Sequence, residues 1–574
     1  MRTRHAAYRL LPLCVSLTTG AAAVHAASIA DLAVNLNLNT TAAYRPYPYD
    51  RVELLSCDPP LNSVRAAHGN TDWHIDTAHE FLFGVEMDGS PSAANHVPAS
   101  WTRQHIHVDM TNTGDYYKDD TVTPFGLDTD IDNGIDKTML FFYAGHGSPT
   151  SWSALGDSGT QSGMKLGNCS NGSRLRYYWQ CSCEVFAHGP RMCGGSSFDY
   201  ACPQDFDGSA DSYNMRNVYE RWGPALDSRL RMACGASTPA YCHEDQMNRI
   251  WDNYNNKGYD VADSFIFGLH SASGYDSGVV PLCITTGGWS TASTPLYDTT
   301  FTNARNPSGD YYHIQYLSSF DSTAPTFVLP EIPRLIPRLR LVLPEPDPIV
   351  QEQELIVEGE FLVSAETTET GRPQLRVDTR SNATYLVRDT KPLSEEVVLS
   401  EKDYAERAWS LLWEMGLGER DMSEPQVARM VIQTVPRKGI EGKPSESQKN
   451  VVVTLHRVIQ VDGVPVKVLG EGGKIQMQLT NDGQLMNLSK VWREIVADKA
   501  EMVPVKPYEK AYDEALRQLK DANLYELARA ELGYKAESGN VTQKEMSPVY
   551  QFAFQPVDEL KEELPPRMIE IPAI

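Results

Sequence analysis

The stretch Met139-Leu140-Phe141-Phe142-Tyr143-Ala144-Gly145-His146-Gly147 decides the reading of the fold, together with Leu175-Arg176-Tyr177-Tyr178-Trp179-Gln180-Cys181-Ser182-Cys183. Each is a short, largely apolar run that stops on a reactive residue. Such runs are expected of strands buried on both faces of a sheet, where reactive groups collect beyond the carboxyl ends of the strands. A base at His146 and a nucleophile at Cys183 are therefore expected side by side, although about 37 residues separate them in sequence. The thiol needs that neighbour, because only a small fraction is thiolate at its free pKa. Gly145 and Gly147 permit a sharp turn at the strand end, and the Gly147 and Cys183 amides are candidates for holding an oxyanion. Cys181 faces the same side of its strand as Cys183 and stands as the alternative nucleophile.

Around these runs the chain is long and acidic. At 574 residues it exceeds one ordinary core, and its 41% hydrophobic share is that of a globular protein. The formal charge of −24 excludes nucleic acid as the expected partner, since a polyanion needs clustered Lys and Arg. Arg2 and Arg4, the apolar Leu10 to Ala23 and the small-residue Val24-His25-Ala26 read as a secretory leader, which places the protein in the periplasm or outside the cell. No later segment is apolar enough for a membrane span. Of the ten cysteines Cys14 falls in that leader, leaving Cys57, Cys169, Cys181, Cys183, Cys193, Cys202, Cys234, Cys242 and Cys283. In an oxidising compartment an odd set implies up to four disulfides and one free thiol.

The expected organisation is a leader over 1–26, an extended lead-in over 27–69, a cysteine-bearing α/β domain over 70–321, a Pro-rich linker over 322–352 and an α+β region over 353–574. In the α/β domain, Met215–Trp222 and Gln246–Asn256 read as helices and Leu230–Cys234 as a third core strand. The linker carries Pro325, Pro330, Pro333, Pro337, Pro344, Pro346 and Pro348, which remove donors and favour an extended strap. Beyond it, Ser400–Met415 and Pro507–Ala522 read as amphipathic helices. Val451–Leu455 with Val461–Val466, and Ile475–Leu479 with Leu485–Val491, read as hairpins, in a helix and hairpin pattern that recurs toward Pro548–Phe554. A strap of this length lets the C-terminal half reach back over the His146 region.

Metal sites are weaker readings. Asp128, Asp130 and Asp132 alternate as in a calcium loop, but Gly134 comes one place late for an EF-hand and no bidentate Glu closes the loop. Asp205, Asp207 and Asp211 repeat the theme. His105, His107 and Asp109 share one strand face as in a zinc hydrolase, with His74, Asp76 and His79 nearby and no HExxH in support.

The two opening blocks resemble the caspase, legumain and gingipain group of cysteine peptidases, in which one hydrophobic block ends in His-Gly and a later one in Ala-Cys or Ser-Cys. A closer resemblance, to a family of secreted bacterial proteins with a caspase-like domain, extends through Arg221-Trp222-Gly223-Pro224-Ala225-Leu226 to Phe267-Gly268-Leu269-His270. It implies a caspase-like three-layer sandwich with a mostly parallel sheet. It also implies Cys183, preceded by Ser182, as nucleophile of a polypeptide hydrolase that requires no cofactor. Val461-Asp462-Gly463-Val464-Pro465-Val466, Asn481-Asp482-Gly483-Gln484 and Ser547-Pro548-Val549-Tyr550 resemble PepSY and related propeptide-type domains, which implies a regulatory C-terminal half. Two other classes compete with the peptidase: a non-catalytic, disulfide-rich secreted binding module, and the zinc hydrolase.

Overall fold

The structure, a computed structural model, describes residues 63–68, 82, 102–106, 138–144, 146–147, 151–154, 157–160, 175–182, 186, 218–228, 230–237, 244–270 and, with short gaps, 280–574. Five strands run parallel in the order β2-β1-β3-β4-β5: β1 Ser63–His68, β2 Thr102–Ile106, β3 Leu140–Ala144, β4 Tyr177–Cys181 and β5 Met232–Ala236. Strands β3, β4 and β5 are buried along their whole length. On one face Trp179 packs against Trp251, Phe265 and Phe301 at ring distances of 5.4–5.8 Å. On the other, Tyr178 meets Trp222 of helix α1 (Val218–Ser228) at 5.0 Å. Cover on both faces is why these strands carry unbroken apolar runs.

The sheet does not stop there. Strand β6 (Pro281–Gly287) adds antiparallel to β5, and β7 (Tyr311–Ser318) antiparallel to β6. The next strand is β12 (Gln426–Pro436), from beyond the Pro-rich segment, paired with β7 over eight register positions from Tyr311↔Pro436 to Ser318↔Arg429. Strands β13 (Ser445–His456), β14 (Lys474–Leu479), β15 (Leu485–Val491), β11 (Ala383–Val387), β10 (Leu375–Asp378), β9 (Phe361–Ser364) and β8 (Leu355–Glu358) complete fifteen strands. Four neighbouring pairs are parallel and ten antiparallel.

A mostly parallel caspase-like sandwich followed by a separate α+β region is therefore overturned: the chain is mostly β, in large mixed and antiparallel sheets. The physical reason is that the C-terminal hairpins cover the β7 edge by extending the first sheet, while also closing further cores of their own.

A second sheet of seven strands joins Val458–Val461, Val464–Gly470, Tyr525–Ala536, Glu545–Pro556, Leu339–Val342, Glu494–Val496 and Arg567–Pro572. The Asp-Gly turn at 462–463 has φ 51° and 83°, the pair of positive values that a two-residue hairpin requires. It joins Val458–Val461 to Val464–Gly470, whereas Val451–Leu455 belongs to β13 and pairs with β14. The described part of the Pro-rich segment is not a bare linker. Leu335–Pro337 and Leu339–Val342 pair with C-terminal strands and bury Ile336, Leu339 and Leu341.

The halves are joined by buried polar groups as well. Helices α2 (Glu244–Asn255) and α3 (Val261–Leu269) pack so closely that a Cβ on Gly268 would come within 2.6 Å of the Ile250 Cα. At the α3 N-terminus, Asp260 caps the Asp263 amide at 2.8 Å. Lys449 of β13, whose side chain is fully buried, donates to Asp260 (2.6 Å), Asp263 (2.9 Å), the Leu296 carbonyl (2.6 Å) and Gln315 of β7 (2.9 Å). Asp263 accepts further from Gln315, Asn450 (2.8 Å) and Gln478 (2.5 Å). Burial alone would lower the Lys449 pKa, but the two carboxylates raise it. Nearby, Glu471 faces Lys474 (3.4 Å), Lys257 (3.8 Å) and Arg249 (3.8 Å), the last two from the N-terminal half.

Lys449→Met should strand two buried carboxylates and cost about 3–5 kcal/mol. Urea unfolding should show that loss in one transition shared by both halves; two transitions, with only one of them moved, would contradict the shared core. Burial, then the Asp263 charge, pushes the Asp260 carboxyl up to about 7 from 3.8. The native state thus keeps a proton that the unfolded chain has released, so this group makes stability fall as pH rises from about 4 to about 7. Despite burial, its three cations hold Glu471 down to about 2 from 4.5, so its stabilisation is full above about 4.5 and lost as pH falls toward 2. Asp260→Asn, which keeps a capping oxygen, should flatten the decline above pH 4 and leave the acid limb in place when urea midpoints are followed against pH.

Candidate functional site

The candidate site lies beyond the carboxyl ends of β3 and β4. Their register pairs Ala144 with Cys181, so the chain runs two residues further to His146 from one strand end and two residues further to Cys183 from its neighbour. His146 and Gly147 form a short strand that pairs antiparallel with Ser151–Ala154, placing His146 opposite Ser153 and Gly147 opposite Trp152; Ser151–Ala154 pairs in turn with Asp157–Thr160. A hairpin therefore leaves the sheet at the histidine. Cys183 lies outside the described residues.

Cys181 is disulfide-bonded, so its sulfur is not a free thiolate and it cannot serve as the alternative nucleophile in this state. Its Sγ lies 4.0 Å from Gln246 Oε1, and the Gln246 amide donates to the Leu269 carbonyl at 3.3 Å, which fixes the end of β4 to α2 and α3. Among the described residues, the fully buried Ser182 hydroxyl has no partner and the Gln180 side-chain nitrogen has none either, while its oxygen accepts from Tyr178 at 2.9 Å. Burial raises the Tyr143 and Tyr178 pKa values, so both phenols beneath the site stay neutral donors.

Register also brings up a residue that the sequence reading passed over. His68 ends β1 and pairs with Ala144, so it stands at the same sheet end as the His146 turn. The signal was weak, because Ser-Val-Arg-Ala-Ala-His shows neither clear alternation nor a long apolar run. Of the zinc alternative, His105 lies in β2 opposite Ala66, while His107 and Asp109 lie outside the described residues. The calcium candidates Asp128, Asp130 and Asp132 lie outside them too. Among the described residues no three His, Cys, Asp or Glu side chains converge to hold an ion, and no helix is long and apolar enough to cross a membrane.

No family model and no curated protein matches the chain. Among solved structures it is matched by that of an uncharacterised protein from Eubacterium rectale, at 11% identity, over 38% of this chain and 72% of that one, with a TM-score of 0.21. A likeness that distant carries no inference about fold or function.

Directly beside the site, β5 and β6 are stapled by the Cys234–Cys283 disulfide, whose residues face each other in register with Cα atoms 4.1 Å apart. Both residues belong to the core that also contains Met430, Ile432 and Val452 of the C-terminal half. Replacing both by alanine should cost about 2–5 kcal/mol. Thermal unfolding followed by a C-terminal probe should register that loss as fully as one near β4; an unmoved C-terminal transition would mean the shared core does not transmit it.

Proposed function

We propose that the protein is a secreted cysteine endopeptidase in which His146 is the base and Cys183 the nucleophile. One observation supports this most: β3 and β4 are adjacent, parallel and in a register that gives His146 and Cys183 equal offsets beyond paired residues. Neighbouring strands lie about 4.8 Å apart, so side chains leaving their ends at one level are within reach of a hydrogen bond after a small adjustment. The disulfide at Cys181 takes the alternative nucleophile out of use and leaves Cys183 as the candidate thiol at this strand end. In the reaction the imidazole takes the thiol proton, sulfur attacks the scissile carbonyl, and the amine leaves with that proton. Water then cleaves the acyl-enzyme, with the Gly147 and Cys183 amides holding the oxyanion. No metal is needed for these steps. The leader and the cysteine usage support an extracytoplasmic location.

The test is mass mapping of the native, oxidised protein after reaction with a peptidyl thiol electrophile. The label should appear on Cys183 alone, and His146→Ala and Cys183→Ala should each abolish hydrolysis of a mixed peptide library while leaving the melting temperature within a few degrees. Recovery of a peptide in which Cys181 and Cys183 are linked to each other would overturn the assignment and favour the disulfide-rich binding module.

A further inference from the structure

A second site lies in the C-terminal half, at the far end of β15. There a groove of about 440 Å³ is lined by Leu341, Val342, Leu343, Arg380, Arg493 and Lys544, within the range that encloses a small ligand. Its two walls differ in chemistry. One is apolar: Val342 and Leu343 are 44% and 57% exposed, although they sit at the end of a strand whose Leu339 and Leu341 are core residues. The other is cationic in a chain whose formal charge is −24.

The three cations are not equivalent. Arg380 is neutralised by Asp378, with Nε 2.9 Å from its carboxylate. Lys544 is exposed and forms no ion pair among the described residues. Arg493 is 5% exposed, and its terminal nitrogens donate only to the carbonyls of Glu537 (2.8 Å), Ser538 (2.7 Å) and Val541 (2.6 Å). Its Nε has no acceptor, and no carboxylate pairs with it among the described residues. Glu537 and Asp378 act on it only through space, and a buried guanidinium with no carboxylate in hydrogen-bond contact is costly, which carbonyl dipoles offset only in part. The lining itself carries three cations, Arg380, Arg493 and Lys544, against one acid, Glu360, with Asp378 and Glu537 acting on the guanidiniums from outside it.

We infer that this groove binds a carboxylate that carries an apolar substituent, with the anion between Arg493 and Lys544 and the substituent against Val342 and Leu343. The chemistry fits the C-terminal end of a peptide with an apolar last residue, and a medium-chain fatty carboxylate shares it. The inference is independent of the reading of the His146 site, because nothing in it uses Cys183.

The experiment is calorimetric titration of the full-length, oxidised protein with an acetylated tripeptide ending in leucine, as free acid and as carboxamide, and with octanoate. The free acid should bind at least tenfold more tightly than the amide, and binding should weaken as salt is raised. Lys544→Gln, at an exposed position that leaves the fold intact, should weaken binding about threefold or more, and Val342→Ser should do so for leucine but not for a glycine-ended peptide. Binding of the tripeptide acid without octanoate assigns a peptide source, and binding of octanoate alone assigns a fatty carboxylate; either supports the inference. Equal affinity for acid and amide, an affinity untouched by Lys544→Gln, or no binding of any probe would overturn it.

Discussion

Much of the architecture depends on one ammonium group. Lys449 sits in the middle of β13 with no exposure, and an ammonium cannot remain charged there unless oxygen acceptors replace its water. Its acceptors come from the α3 cap, from the loop at Leu296, from α3 itself and from β7. These elements are separated in sequence by 134 to 189 residues, so the ion holds the two halves at one relative position. Sliding β12 and β13 along β7 by one residue would turn Lys449 and Asn450 to opposite faces and leave Asp263 buried without its cation. The register of the sheet is thus enforced electrostatically where apolar packing alone would tolerate slippage.

That constraint changes what the C-terminal half is. A tethered domain that docks and releases needs an interface whose loss leaves both partners intact. Here β7 would become a bare edge, and one core containing Trp179, Phe265, Met430 and Val452 would be cut open. The Glu471 group makes the same point, because Arg249 and Lys257 approach it from α2 and from the turn after it. The Pro-rich segment is no free tether either, since its strands are paired to C-terminal strands and its buried side chains, Ile336, Leu339 and Leu341, belong to the core beneath the second sheet.

The parts of this arrangement that were legible in sequence are those whose physics is local. The runs ending in His146 and Cys181 announced buried strands because both faces are covered, and Asp462-Gly463 announced a tight turn because few residue pairs adopt two positive φ values. Ser400 announced the helix Glu401–Glu414, where it forms a capping box with Asp403. What stayed hidden depends on distant partners. Ser445–Asn450 is polar throughout and lies outside the expected hairpin, yet it forms half of β13, where Asp263 and Gln315 satisfy the buried Lys449 and Asn450. The hairpin partner of Val451–Leu455 was misread for the same reason: its neighbours, β12 and β14, are chosen by the cluster and not by proximity in sequence. The fold class failed with it, since a strand pattern does not say onto which sheet a hairpin will be added.

The same rigidity bears on the proposed pair at His146 and Cys183. A base and a nucleophile gain from proximity only if their relative position is held to a fraction of an ångström, and loops hold positions less well than sheet ends do. Strands β3 and β4 are clamped by Trp179 with Trp251 and Phe265 on one face and by Tyr178 with Trp222 on the other, with the Cys234–Cys283 staple joining β5, the neighbour of β4, to β6. The last paired positions of these strands, Ala144 and Cys181, are held in register by that clamp, and it is from them that the proposed pair is offset by two residues each in sequence. The disulfide at Cys181 and its contact with Gln246 further fix the end of β4. A fifteen-stranded sheet locked by buried ions is therefore a stiff base for the ends of β3 and β4, which is what the proposed pair would need to keep its spacing.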